Sequence, residues 1–143
     1  MTTEFSPLEV FGAFVQTILG AEVPAGGVVV GPATKEQQAA GVVCVMPTGT
    51  WRNDTSSLVV WQRLNVRCIA PSFADAESIG QHVYLSFNTE GRHRHILAQA
   101  SNGHTYLVHA ANPSVGTPFY NSDDSVWEFL VVVEALFGLG PVT

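Results

Sequence analysis

Residues 57–70, S-L-V-V-W-Q-R-L-N-V-R-C-I-A, constrain the fold more than any other stretch. Leu58, Val60, Gln62, Leu64, Val66, Cys68 and Ala70 fall on one side of the alternation; Val59, Trp61, Arg63, Asn65, Arg67 and Ile69 fall on the other. Period two belongs to a strand, because a helix would spread both sets around its circumference. The chain must therefore build a sheet with one apolar face and one face interrupted by arginines. Fully extended, the segment spans on the order of 45 Å at about 3.3 Å per residue. That length predicts a hairpin that bends or projects, with backbone groups a neighbour must cover.

The flanking sequence punctuates cleanly. Ser6-Pro7-Leu8-Glu9 spells a capping box with Pro at the first helical position. Leu8, Phe11, Val15, Ile18 and Leu19 recur at helical spacing, and Gly20 ends the helix. Gly31-Pro32 closes a short strand at 28–30, and a helical turn is expected over 34–40. Residues 41–46 form a β-branched strand closed by Pro47, and 48–56 a polar connection carrying Trp51 and Arg52. After the long strand, Ser72 caps a second helix with Asp75 at its third position, and Phe73, Ala76, Gly80, Val83 and Phe87 share a face. Residues 88–94 are a charged break. Strands follow at 96–100 and 104–110 around the turn signal Asn102-Gly103.

The prolines, glycine and aspartates of 112–125 predict a long loop, a place for partner contacts. The Val-rich run 127–137 predicts a final strand buried on both faces, with Trp127 in the core. The expected class is α+β: one domain over 1–143, with an antiparallel or mixed sheet, a long hairpin and two helices packed on one face.

Composition bounds the function. Charged residues make up 13% of the 143 and apolar residues 46%, against about a quarter charged in ordinary soluble domains. Such a surface is expected to be covered by copies of the same chain or by other proteins. A net charge of −6 with six scattered Lys and Arg argues against gripping DNA phosphates. No apolar run reaches the ~20 residues of a membrane span, and the N-terminus lacks a signal-peptide pattern, so a chain made in the cytoplasm is expected. Cys44 and Cys68 sit in apolar strand patterns and are expected as buried, reduced thiols rather than a disulfide.

Candidate chemistry is thin. His93 and His95, with His104 and His109, suggest a metal site, and a small histidine-site metalloenzyme is the alternative of another class. Yet zinc needs three or four ligands, and Arg92 and Arg94 beside those histidines would oppose a cation. Asp123-Asp124 would serve acid–base work only if the backbone folded the two carboxylates together. No nucleophile elbow, P-loop, dinucleotide glycine pattern or H-E-x-x-H occurs. The expectation is a protein without catalysis, cofactor or metal. The candidate contact residues are Trp51, Arg52, Trp61, Arg63, Arg67, Phe119, Tyr120, Asp123 and Asp124, since aromatics in loops and arginines on a strand serve interfaces best.

Taken together, the capped first helix, W-Q-R-L-N-V-R-C-I-A, F-A-D-A-E-S-I-G and N-S-D-D-S-V-W-E-F-L-V-V-V resemble, in order and spacing, the tail terminator (tail completion) proteins of long-tailed bacteriophages. The resemblance covers most of the chain and fails over 88–101. It implies a non-catalytic virion protein at the head–tail junction: a ring, expected as a hexamer, that caps the tail tube, ends its polymerisation and offers a head-joining surface. Its implied partners are itself, the tail tube protein and the head–tail connector protein, with genomic DNA passing the lumen without specific binding. A head-closure or connector ring, or the tube protein itself, is the neighbouring alternative. A cellular ligand-binding module is a third.

Overall fold

A computed structural model describes residues 7–47, 52–53, 59–87, 96–99, 105–115 and 118–138. The elements in chain order are α1 (Pro7–Leu19), a 3₁₀ turn (Gly20–Glu22), β1 (Val28–Val30), α2 (Lys35–Ala40), β2 (Val42–Pro47), β3 (Arg52–Asn53), β4 (Val59–Ala70), α3 (Phe73–Ser86), β5 (Ile96–Gln99), β6 (Thr105–Val115), β7 (Phe119–Asn121) and β8 (Val126–Gly138). Among the described residues the strands form one eight-stranded sheet in the order β1-β2-β4-β8-β6-β5, with β3 beside β4 and β7 beside β8. Only β1 and β2 run parallel; the other pairs are antiparallel. The class is α+β, as the alternation and capping signals predict.

Local chemistry sets the helix ends. Gly20 takes φ +55°, a left-handed conformation that stops α1 at little cost for a residue without Cβ. Thr34 caps α2 through a full capping box with Gln37. The Ser72 hydroxyl accepts from the Asp75 amide at 3.2 Å, as expected of the α3 N-cap. The expected Ser6 cap of α1 lies outside the described residues.

Both long helices cover one face of the sheet. Val10, Phe11, Phe14 and Val15 of α1 and Ala76 and Val83 of α3 are buried with Val43, Val45, Leu64, Val66, Cys68, Phe129, Val131 and Val133 from the strands. Phe87, just past α3, stacks on Phe11 with ring centroids 5.6 Å apart and planes within 6°. Gly80 lets α3 ride directly on β8, since a methyl group there would overlap the Phe129 ring. Among the described residues the opposite face is covered at one end only, where Val42, Cys44, Ile69 and Val126 make a smaller cluster with Val29 and Ala33.

Four expectations need correction. The long strand does not offer a bare backbone: β8 pairs with it from Val59↔Gly138 to Ala70↔Trp127, and β2 and β3 line its other edge. Its length is used up by the longest ladder in the sheet. Half of the expected loop at 112–125 is strand, because β6 runs on to Val115 and β7 adds Phe119–Asn121. Pro113 fits there because β5 pairs with β6 only as far as Val108, which leaves the outer side of Pro113 without a strand among the described residues. Trp127 is half-buried rather than core, since it packs against the exposed Phe73 at the very start of α3. Phe73 is 41% exposed at the start of that helix, so only the later members of its stripe reach the core. The turn at Asn102-Gly103 and the break at 88–94 fall outside the described residues.

Cys44 and Cys68 are free and buried. Their registers, Cys44↔Arg67 and Val43↔Cys68, put them on opposite faces of the sheet. Burial pushes both thiols up; at Cys44 the Arg67 guanidinium partly offsets it and the Glu128 carboxylate adds to it. Folding therefore favours the protonated thiols. That contribution is complete below the ordinary thiol range and is lost as rising pH ionises the unfolded chain. Native protein at neutral pH should leave both cysteines unlabelled by iodoacetamide while denatured protein takes two labels, and stability should fall as pH climbs through the alkaline range.

Gly80→Ala should destabilise the fold by about 1–3 kcal/mol through overpacking, although alanine favours an exposed helix by about 1 kcal/mol. Urea denaturation reads the sign. An unchanged or raised midpoint would show that α3 does not ride so close to β8.

Candidate functional site

The uncovered part of the sheet carries the polar residues of the alternation. Odd positions of β4 and even positions of β8 face that side, so Arg63 stands opposite Glu134 and Arg67 diagonal to Glu128. Arg63 Nη2 donates to Glu134 Oε1 at 2.7 Å, with the two side chains 62% and 49% exposed. Arg67 binds Glu128 differently. Its Nε donates to Glu128 Oε1 at 2.6 Å, its Nη2 closes on the same oxygen, and its Nη1 lies 3.4 Å from the Met46 sulfur. The Glu128 side chain is 1% exposed. Its second oxygen accepts from Asn121 Nδ2 at 3.0 Å, so both oxygens have partners. Among the described residues no buried side-chain polar atom lacks one. Between the ion pairs stand the half-buried Leu130 and Val132, with Met46 and Asn65 beside them.

Asn121 also shapes the turn that joins β7 to β8. Its Oδ1 accepts from the Asp123 amide at 3.1 Å and the Asp124 amide at 3.4 Å, and its Nδ2 lies 3.3 Å from Asp124 Oδ2. Ser125 completes the reversal at φ +55°. Asp123 and Asp124 are thus held on a tight, exposed turn. With Lys35, Gln38, Ala39, Pro71, Ser125 and Val126 they line an open groove of about 280 Å³. No hydroxyl or thiol nucleophile is held against those carboxylates by any hydrogen bond among the described residues, and the groove offers surface rather than a reaction chamber.

The end of the sheet beside this turn is aromatic. Trp127 lies between Phe73, at 5.1 Å between ring centroids and 79° between planes, and Tyr120, at 5.3 Å and 59°. Tyr120 is the direct cross-strand partner of Trp127, while Phe119 pairs with Glu128 and so stands on the opposite face. Phe119 and Tyr120 are exposed by 46% and 49%. These edge-on contacts fix the rings of a patch that solvent reaches.

The structure thus joins Arg67 to the Phe119, Tyr120, Asp123 and Asp124 region through Glu128 and Asn121, and leaves Arg63 in a separate surface pair. Arg52 and Trp61 come together as backbone partners across β3 and β4. Trp51 lies outside the described residues, as do His93, His95 and His104; His109 falls at the bulge between Val108 and Ala110 of β6. Among the described residues no three His, Cys, Asp or Glu side chains are grouped to hold a metal ion. Glu128 and Asn121 are not among the candidate contact residues, and Phe73 is expected only as part of a helix face. The signal for Glu128 is its place in W-E-F-L-V-V-V, an acid in an apolar strand, which demands a cationic partner on a neighbour.

No protein-family model matches the chain, and no curated protein matches it. None of the described helices is long and apolar enough to cross a membrane.

Arg67→Ala leaves a buried carboxylate with one amide partner and should cost about 3–5 kcal/mol, whereas Arg63→Ala should cost less than about 1 kcal/mol. Chemical denaturation of the two variants gives the comparison directly. Equal costs would mean that Glu128 is solvated in solution.

Proposed function

We propose that this chain is a structural subunit of a phage tail, a tail terminator that assembles into a ring on the tube and presents a surface to the head connector. The observation that supports the reading is the asymmetry of the sheet. One face is closed by α1 and α3, while much of the other keeps Leu130, Val132 and Met46 half-buried among its ion pairs. A chain with 13% charged residues that leaves apolar groups in such a position is suited to having that face covered by protein. The geometry around Asp123 and Asp124 favours this over catalysis, because both lie on an exposed turn beside an open groove.

The expected hexamer, the tube and connector contacts, and the unhindered passage of DNA come from the resemblance in order and spacing of the four segments quoted above. An acidic ring fits the last of these, since a negative lumen repels phosphate. Heterologous contacts give closed rings when the rotation completes a circle and open tubes when it does not.

Purified protein should therefore show one discrete closed oligomer by native mass spectrometry across concentration, and rings by electron microscopy. Unlimited tubes would identify a tube subunit. A chain that stays monomeric at every concentration and with added tail tubes would refute the assembly reading.

A further inference from the structure

The aromatic patch at the end of the sheet is not explained by packing. Phe73, Trp127 and Tyr120 form one cluster, yet Phe73 and Tyr120 remain 41% and 49% exposed. The charged groups beside them are mostly acidic. Asp75 lies in the same first turn of α3 as Phe73, and Asp123 and Asp124 lie on the turn that follows Tyr120. The groove that Asp123 and Asp124 line also takes in Pro71, two residues before Phe73. Lys35 lines the same groove, and Glu36 follows it in α2. Aromatic faces rimmed by carboxylates suit arginine, which combines cation–π contact with charge-assisted hydrogen bonds.

The chain itself carries a complement. Of its six Lys and Arg, Arg63 and Arg67 are joined to glutamates and Lys35 sits at the groove. Arg92 and Arg94 are the densest cationic pair left, in the sequence G-R-H-R-H at 91–95. They cannot meet the patch of their own copy. Ile96 pairs with Val108, and Val108 pairs with Phe137, so the segment is tied to the far end of β8. From Phe137 to Trp127 the strand covers about 33 Å at about 3.3 Å per residue, while the four residues from Ile96 back to Arg92 reach about 14 Å fully extended.

We infer that the Phe73–Trp127–Tyr120 patch, with its Asp75, Asp123 and Asp124 rim, receives the basic segment 91–95 of a second copy of this chain. The patch lies at the other end of the sheet from Ile96, to which the segment is joined in sequence, so each copy offers one of each. That is a head-to-tail contact, the kind that generates a ring. The inference rests on the self-assembly reading above and names the contact that would drive it.

The test uses full-length protein and two charge-reversed variants, one with Asp123→Lys and Asp124→Lys, the other with Arg92→Glu and Arg94→Glu. Sedimentation and native mass spectrometry across concentration should show each variant assembling at least about tenfold more weakly than the parent chain. Mixed in equal amounts, the two should regain assembly as an alternating oligomer, because each reversed patch meets a reversed segment. That recovery also separates a lost contact from a lost fold, which circular dichroism checks independently. Parent chain that assembles while the variants match it, or fail to recover on mixing, overturns this contact and leaves the ring reading standing. Parent chain that never assembles overturns both.

Discussion

The ion pair between Arg67 and buried Glu128 is the constraint on which the sheet depends. A side-chain period of two means that slipping β4 by one residue against β8 would turn Leu64, Val66 and Cys68 outward and drive the arginines under α1 and α3. Apolar burial alone disfavours that slip. The pair adds to this, because the two-residue slip that sets Arg67 opposite Val132 keeps the faces but separates guanidinium from carboxylate and leaves a charge buried without its partner. Asn121 extends the same requirement to β7 through the other Glu128 oxygen. One acid therefore links three strands.

Much of this architecture is legible in the chain because local and long-range preferences agree. The 57–70 alternation, Pro7, the cap at Ser72 and the Val-rich terminal run each specify an element with nearby residues alone. What is not legible depends on partners far away in sequence. Pro113 reads as a loop former until it is known that, among the described residues, a strand lies on one side of it only, and Trp127 reads as core until the start of α3 is located. The length of β4 suggests projection only while its partner β8, some sixty residues later, is unassigned. The same limit holds at the candidate surface. Phe119, Tyr120 and the aspartate pair stand out as residue types, but Glu128, which organises them, reveals itself only through register.

The molecule divides its faces by chemistry. The helix-covered side is almost wholly apolar, and its closest approach, α3 over Phe129, requires glycine at position 80. The uncovered side mixes ion pairs with half-buried Leu130 and Val132, a composition closer to a protein interface than to a solvated sheet. At the end of the sheet, aromatic rings and carboxylates replace aliphatic packing. The uncovered face and the end of the sheet thus offer two surfaces of distinct chemistry on one small scaffold.

Pro113 has a further consequence. Proline in a sheet turns its nitrogen to the unpaired flank, so a strand added along this margin would meet a gap in the ladder at Pro113, near the end of β6. Encounters at that border must then be negotiated by the identity of side groups and not by the anonymous peptide ladder. Specificity of stacking becomes a property that point changes can rewrite without disturbing the scaffold beneath.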